Sequence, residues 1–113
     1  MGVSRERTER VKSLLRDIVS SFIKTRIDES MIVSVMRVEV SGDLERAKIF
    51  ISVFPEEKEG FVLKETKRLT PDLYKHLKKQ IRSFLPRISF EIDKEIKIQR
   101  KLEEILGDDK KRA

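Results

Sequence analysis

Apolar side chains recur at steps of three and four residues over positions 4–26, which is the spacing of one face of a helix. Ser4 is suited to cap the start of this helix, and Glu6 lies in its first turn, where the helix dipole favours an acid. The pattern predicts an amphipathic first helix. Its apolar face consists of Val11, Leu14, Leu15, Ile18, Phe22 and Ile23.

The period then changes to two, which predicts two strands, over 31–40 and 46–53. Ser41-Gly42-Asp43 is a turn signal between them, so we expect an antiparallel hairpin. In the first strand the inward side chains are predicted to be Ile32, Met36, Val38 and Val40, with Val33, Val35, Arg37 and Glu39 outward. In the second strand they are predicted to be Ala47, Ile49, Ile51 and Val53.

Prolines mark the boundaries in the second half of the chain. Pro55 ends the second strand, and a short helix is predicted over 61–69. Thr70-Pro71-Asp72 combines an N-cap residue, a proline suited to the first helical position and an acid, so a new helix is predicted from Pro71 to Phe84 or Leu85, ending before Pro86.

A third strand and a last helix complete the pattern. Ile88, Phe90 and Ile92 alternate with polar residues over 87–93, and apolar residues return at helical spacing over 98–106. Gly107 is a natural helix stop, and 107–113 is predicted to be a charged, disordered tail. The order is α-β-β-α-α-β plus a C-terminal helix, which predicts one α+β domain over 1–106 with a small sheet covered by helices.

Composition excludes several kinds of site. The 113 residues include no cysteine and one histidine, so disulfides, thiolate nucleophiles and sites that need two histidines are ruled out. The glycines form neither a GxGxxG nor a Walker pattern, and the acids at 56–59 lack EF-hand spacing. No apolar run exceeds three residues and the start is charged, so we expect a cytoplasmic protein without a membrane span, a metal or a cofactor.

The basic excess is local. The formal net charge is +6, and residues 61–90 alone hold eight basic and two acidic side chains. On a helical wheel the cations of the Pro71 helix fall on one arc beside the apolar face, without an acid among them. They are Lys75, Lys78, Lys79 and Arg82. A solvated helix face is the alternative, but such faces usually mix signs, so we favour a nucleic-acid contact with Arg87 beside it.

Other features have a structural and a functional interpretation. The first half of the first helix carries four cations that form either an auxiliary RNA contact or, because acids lie among them, an ordinary mixed helix surface. They are Arg5, Arg7, Arg10 and Lys12. Phe50 points away from the inward residues of its strand, either to stack on bases or, as we favour, to be covered by the helix over 96–106. His76 is expected at the rim of the apolar face.

The run Ser41-Gly42-Asp43-Leu44-Glu45-Arg46-Ala47-Lys48-Ile49-Phe50-Ile51-Ser52 resembles the S-x-D-L-x-x-A-K-[VI]-[FY]-[VI]-[ST] signature of the ribosome-binding factor A family. The resemblance extends over about residues 5–106. It implies a type II KH-like fold without the Gly-x-x-Gly loop. The family's Ala-x-Gly between the central helices is replaced here by Arg68-Leu69-Thr70-Pro71.

The resemblance also implies a function. Members of the family bind the free small (30S) ribosomal subunit through its rRNA, assist late processing of 16S rRNA, support growth in the cold and work alongside assembly GTPases, without catalysis. A monomer that is not an enzyme is therefore expected. Two alternatives stay open: a generic KH-like single-stranded RNA-binding module, and a protein-interaction module that uses the helix over 98–106.

Overall fold

Three helices and a three-stranded sheet make up the fold. The computed structural model describes residues 5–81 and 85–112, with side chains for all of these except 96 and 108–112. In chain order the elements are α1 (Arg5–Arg26), β1 (Ile32–Val40), β2 (Arg46–Phe54), α2 (Glu59–Gln80), β3 (Arg87–Ile92) and α3 (Lys94–Arg112), with a 3-10 turn at Glu56–Lys58 before α2. Ser4, predicted to cap the first helix, and Arg82 lie outside the described residues.

The sheet has the strand order β1-β2-β3. β1 and β2 form the predicted antiparallel hairpin, in which Glu39 is directly opposite Lys48. β3 pairs in parallel with β2, beginning with Arg46 opposite Arg87. The parallel pairing requires a crossover, which α2 provides. As a result, the starts of β2 and β3 lie at the same end of the sheet as the end of α2.

A β-bulge in β1 corrects the predicted faces of that strand. The register shifts between Val35 and Arg37, so the side chains that point inward change from odd to even positions there. Val33 and Val35 therefore pack against the core, although they were predicted to point outward. Ile32, predicted to point inward, is 62% exposed, whereas Val38 is buried as predicted.

The core lies between one face of the sheet and the helices α1 and α2. Ala47, Ile49, Ile51 and Val53 of β2 are buried, as the alternation predicts. From α1 the buried residues are Leu15, Ile18, Val19, Phe22 and Ile23, and from α2 they are Val62, Thr66, Leu69, Leu73 and Leu77. Burial of these apolar side chains is the main stabilising term for the fold.

The two central helices predicted from Thr70-Pro71-Asp72 are one continuous helix, α2, with Pro71 inside it. The prediction of a break is wrong because the buried stripe of α2 continues at three- and four-residue steps across the proline, from Thr66 through Leu69 to Leu73. Pro71 itself is exposed, so its missing N–H leaves the Lys67 carbonyl to solvent. The Thr70 hydroxyl donates a hydrogen bond to the Thr66 carbonyl at 2.7 Å.

The end of α2 also differs from the prediction of Phe84 or Leu85. The helix ends at Gln80, and Ile81 is extended (φ −114°, ψ 104°) with a buried side chain. The chain must leave the helix this early because β3 starts beside the start of β2, where the Arg87 N–H donates to the Glu45 carbonyl at 2.8 Å.

α3 begins against the sheet and then extends away from it. The Lys97 ammonium lies 2.7 Å from the Glu59 carboxylate, which ties the first turns of α3 to the start of α2. Every described side chain from 98 to 106 is exposed, including the apolar residues Ile98, Leu102, Ile105 and Leu106. The predicted stop at Gly107 is wrong, because the helical backbone continues to Arg112. Among the described residues, no helix combines the length and the apolar character needed to cross a bilayer.

Because the sequence predicts a charged tail, removal of residues 108–113 is expected to leave the melting temperature unchanged within about 1 °C. The measurement is thermal unfolding of the truncated and full-length chains, followed by circular dichroism. A drop of several degrees would contradict this prediction and would mean that the tail packs on the domain.

Candidate nucleic-acid interface

The second half of α2 presents a row of exposed cations opposite its buried stripe. We call Lys75, Lys78 and Lys79, all of which are exposed, the α2 lysine face. Leu73 and Leu77 fix its orientation, since they are at most 2% exposed and hold the other side of the helix in the core. Asp72 is the one acid between Pro71 and Gln80, and it lies 3.6 Å from the guanidinium of Arg26 on α1. The predicted grouping of three lysines is therefore present.

A second cationic feature adjoins this face at the end of the sheet. We call it the Arg46 groove, an open groove that includes Lys78 of the α2 lysine face and Arg87 at the start of β3. Arg46 was not among the predicted contact residues, because its position beside Arg87 depends on the parallel pairing of β2 and β3. The groove is lined by Glu45, Arg46, Tyr74, Lys78, Leu85, Pro86 and Arg87.

Among the described side chains, these cations form no close ion pair of the kind that neutralises other basic side chains of the domain. Lys48 lies 3.7 Å from Glu91, and Arg37 lies 2.6 Å from Glu39. By contrast, no carboxylate oxygen within residues 5–81 and 85–107 comes within 4.0 Å of the charged groups of Lys75, Lys78, Lys79, Arg46 or Arg87. The two features together form a positive surface suited to a polyanion.

The hairpin loop holds the start of β2 in place. The Ser41 hydroxyl donates to the Asp43 carboxylate at 2.6 Å, and it accepts the Arg46 N–H at 3.0 Å. Hydrogen bonds from the Ser41 hydroxyl and the Glu45 N–H lower the pKa of the Asp43 carboxyl from its usual value. Leu44 adopts a left-handed conformation (φ 60°) that is costly for a branched side chain, and its burial offsets the cost.

The predicted cations of α1 form a separate region. Arg5, Arg7 and Arg10 are exposed, and Lys12 lies 3.3 Å from Glu9. Lys12 faces the β1 side of α1, where it lines a shallow pocket with Arg16 and Arg37 and not the Arg46 groove. Arg82 lies outside the described residues, past the end of α2, so its place beside the lysines stays a prediction.

On the outer face of the sheet, Phe50 is covered by Arg37 of the neighbouring strand β1. The Arg37 guanidinium stacks on the Phe50 ring at 3.9 Å from its centroid, and Phe50 is 8% exposed. The ring is therefore not free to stack on bases, and Arg37 supplies cover that the sequence had assigned to the helix over 96–106. Asp93, also predicted to be an outward residue, is buried at 4% exposure beside Arg37 and accepts the Glu95 N–H at the start of α3.

His76 is half-buried with its ring centroid 5.9 Å from that of Phe22, in agreement with a position at the rim of the core. The acids at 56–59 do not converge on one point, since Glu59 is paired with Lys97. Within the described residues, no group of three or more potential ligand side chains could hold a metal ion.

Comparison with known proteins agrees with this fold. The family model described as ribosome-binding factor A matches residues 7–106. Ribosome-binding factor A of Caldicellulosiruptor saccharolyticus is 29% identical over 109 residues, which cover 90% of this chain and 81% of that protein. The crystal structure of ribosome-binding factor A from Thermus thermophilus superposes with a TM-score of 0.66 at 22% identity, over 75% of this chain and 94% of that one.

A further similar structure is a coordinate set of Thermus thermophilus ribosome binding factor A fitted into a cryo-EM map of its complex with the 30S subunit. The TM-score is 0.61 at 26% identity, over 71% of this chain and 88% of that one. The architecture is the KH-like α+β fold that the sequence resemblance implies, with one central helix where two were predicted. Since the family model covers most of the chain, from the first helix to the exposed part of the last, the chain belongs to the ribosome-binding factor A family.

Proposed function

We propose that this protein is a maturation factor of the small ribosomal subunit, which binds free 30S subunits through rRNA phosphates and assists late processing of 16S rRNA. The observation that carries the proposal is the positive surface formed by the α2 lysine face and the Arg46 groove, whose cations form no ion pair with a described side chain. The structure of a relative fitted to its 30S complex supports the choice of partner. A monomeric cytoplasmic factor that supports growth in the cold and acts beside assembly GTPases is part of the same proposal.

Phosphate contacts explain why this surface suits an assembly factor. Lysine and arginine side chains that neutralise phosphates release condensed counterions, which favours binding irrespective of base sequence. Such contacts fix the position and orientation of the protein, while the shape of the folded rRNA selects the site. The three cations that we name first as contacts are Lys75, Lys79 and Arg87, each exposed and with no carboxylate oxygen of a described side chain within 4.0 Å. Arg82 and the α1 residues Arg5, Arg7, Arg10 and Lys12 are proposed as flanking contacts.

The test is co-sedimentation of the protein with purified 30S subunits, 50S subunits and assembled ribosomes between about 50 and 200 mM salt. We expect binding to free 30S subunits alone, with an affinity that falls steeply as salt increases. A matched fraction without ribosomal particles controls for sedimentation of the protein itself. Equal binding to all three particles would contradict a factor specific for the free small subunit.

The exposed apolar side of α3 favours a second candidate function, docking of a protein partner. Ile98 and Leu102 are more than half exposed, which is unusual for large apolar side chains that share one helix face. Under this alternative, 30S binding would be weak and would change little with salt. The same sedimentation series therefore separates the two candidates.

A further inference from the structure

We propose that the Arg46 groove, which adjoins the α2 lysine face and shares Lys78 with it, is a binding site for single-stranded RNA, and that backbone phosphates lie against Arg46 and Arg87. The inference rests on the proposed function, because rRNA of the small subunit would supply the strand. It adds one contact residue that the sequence did not indicate, Arg46, and it specifies the form of RNA that this end of the domain takes.

The groove brings three cations together, an arrangement that suits an external anion. Arg46 and Arg87 are direct partners in the parallel register of β2 and β3, so two like charges lie side by side on adjacent strands. Lys78 reaches the same groove from α2, and Glu45 is the one acid in its lining. Like charges in neighbouring strand positions destabilise a sheet. A phosphate between them would turn this repulsion into attraction.

The next outward positions of β2 and β3 carry opposite charges. Two residues further along β2, Lys48 is paired with Glu91 of β3 at 3.7 Å. At this position an acid on the neighbouring strand neutralises the outward cation of β2. At the first register position the sheet places a second arginine instead, with no carboxylate within 4.0 Å of either guanidinium among the described residues.

The backbone around the groove is held before any ligand binds. The Arg46 N–H and carbonyl are both bonded to Ser41, and the Arg87 N–H donates to the Glu45 carbonyl at 2.8 Å. The Tyr74 hydroxyl accepts the Ile88 N–H at 2.8 Å and lies 3.4 Å from the Pro86 carbonyl, which joins α2 to the start of β3. A site with a fixed backbone loses less conformational entropy on binding.

The shape of the groove favours a single strand over a duplex. Its lining includes the half-buried side chains of Leu85 and Tyr74 above the fully buried Pro86, so apolar surface of Leu85 and Tyr74 lies beside the cations. A single strand can place its phosphates on the arginines while a ribose or an unstacked base contacts this apolar surface. An A-form duplex presents its bases to the interior and would leave the apolar surface uncovered.

The experiment is a titration of the isotope-labelled full chain with a five-nucleotide oligouridylate, followed by amide NMR. At about 50 mM salt we expect shifts centred on the amides of Arg46, Arg87 and Ile88, and smaller shifts for an RNA duplex at equal phosphate concentration. Arg46→Ala is expected to weaken oligouridylate binding about fivefold and to reduce the slope of log affinity against log salt by about 0.7. Arg46→Lys, which keeps the charge, should restore most of the loss.

Lys58→Ala is the matched control, because it removes an exposed cation next to the start of α2, at the opposite end of that helix from the groove. Equal weakening by Lys58→Ala and Arg46→Ala, equal shifts with the duplex, or equal shifts with inorganic phosphate would each overturn the inference. The proposed function has a separate readout in 30S sedimentation. If the protein binds 30S subunits but oligouridylate does not bind at Arg46, the groove proposal is overturned and the proposed function stands. If oligouridylate binds at Arg46 but the protein does not bind 30S subunits, the proposed function is overturned and the groove proposal stands.

Discussion

Reversal of both Lys75 and Lys79 to glutamate is expected to weaken binding to free 30S subunits about 100-fold at about 150 mM salt, or tenfold for each reversed contact. Each reversal removes a phosphate contact and adds a repulsive charge. The slope of log affinity against log salt should also fall by about 1.5, since two fewer counterions are released. The measurement is the sedimentation series described above, repeated with Lys75→Glu/Lys79→Glu.

The variant should remain folded, because both side chains are exposed and lie away from the buried stripe of α2. Lys78 lies three residues after position 75, so the reversal there replaces a like-charge pair by an opposite-charge pair, while positions 75 and 79 remain a like-charge i,i+4 pair. Lys58→Glu/Lys64→Glu is the matched control, since it changes the net charge equally at two exposed positions in the turn before α2 and in the first half of α2. Equal weakening by the two double variants would mean that net charge, and not the α2 lysine face, governs binding.

Local periodicity was sufficient to predict α1, the hairpin and β3. In α1 and β2 the positions that face the core follow one period over the whole element, as Leu15, Phe22 and Ile49 show. The three lysines of the α2 lysine face were predicted for the same reason, because helical spacing alone places them opposite Leu73 and Leu77. Features that depend on one helix or one strand are therefore readable from the sequence.

Features that depend on contacts between elements were not predictable in this way. The bulge at β1 is set by pairing with β2, and it moved Val33 and Ile32 to the faces opposite those predicted. Arg46 and Arg87 are 41 positions apart in the sequence, and only the parallel register makes them neighbours. Cover of Phe50 by Arg37 likewise requires the hairpin register, whereas the sequence suggested the distant α3.

The proline in α2 shows how a strong local signal can be overruled. Thr70-Pro71-Asp72 has the residues of a helix start, but an N-cap residue must leave the helical conformation. A break at Thr70 would interrupt a stripe of buried side chains that extends from Val62 to Leu77. Burial of each large apolar side chain is worth about 1.5–3 kcal/mol, so keeping the stripe intact outweighs the lost hydrogen bond.

Replacement of Pro71 by alanine is therefore expected to raise the free energy of unfolding by about 2 kcal/mol. Proline inside a helix costs about 3 kcal/mol relative to alanine, because it lacks the N–H and its ring crowds the carbonyl four residues earlier. About 1 kcal/mol of this gain is cancelled, since alanine leaves the unfolded chain more flexible. Urea unfolding followed by circular dichroism should show a midpoint about 1 M higher for Pro71→Ala.

Lys64→Ala is the control for this measurement, because it also places alanine at an exposed position of α2 but restores no backbone hydrogen bond. Its midpoint should stay close to that of the wild type, within about 0.5 kcal/mol of stability. If α2 were instead two helices that meet at Thr70, Pro71 would be the first residue of the second helix, where proline is favourable. In that arrangement Pro71→Ala would be neutral or destabilising, so the sign of the change decides between one continuous helix and the break predicted from the sequence.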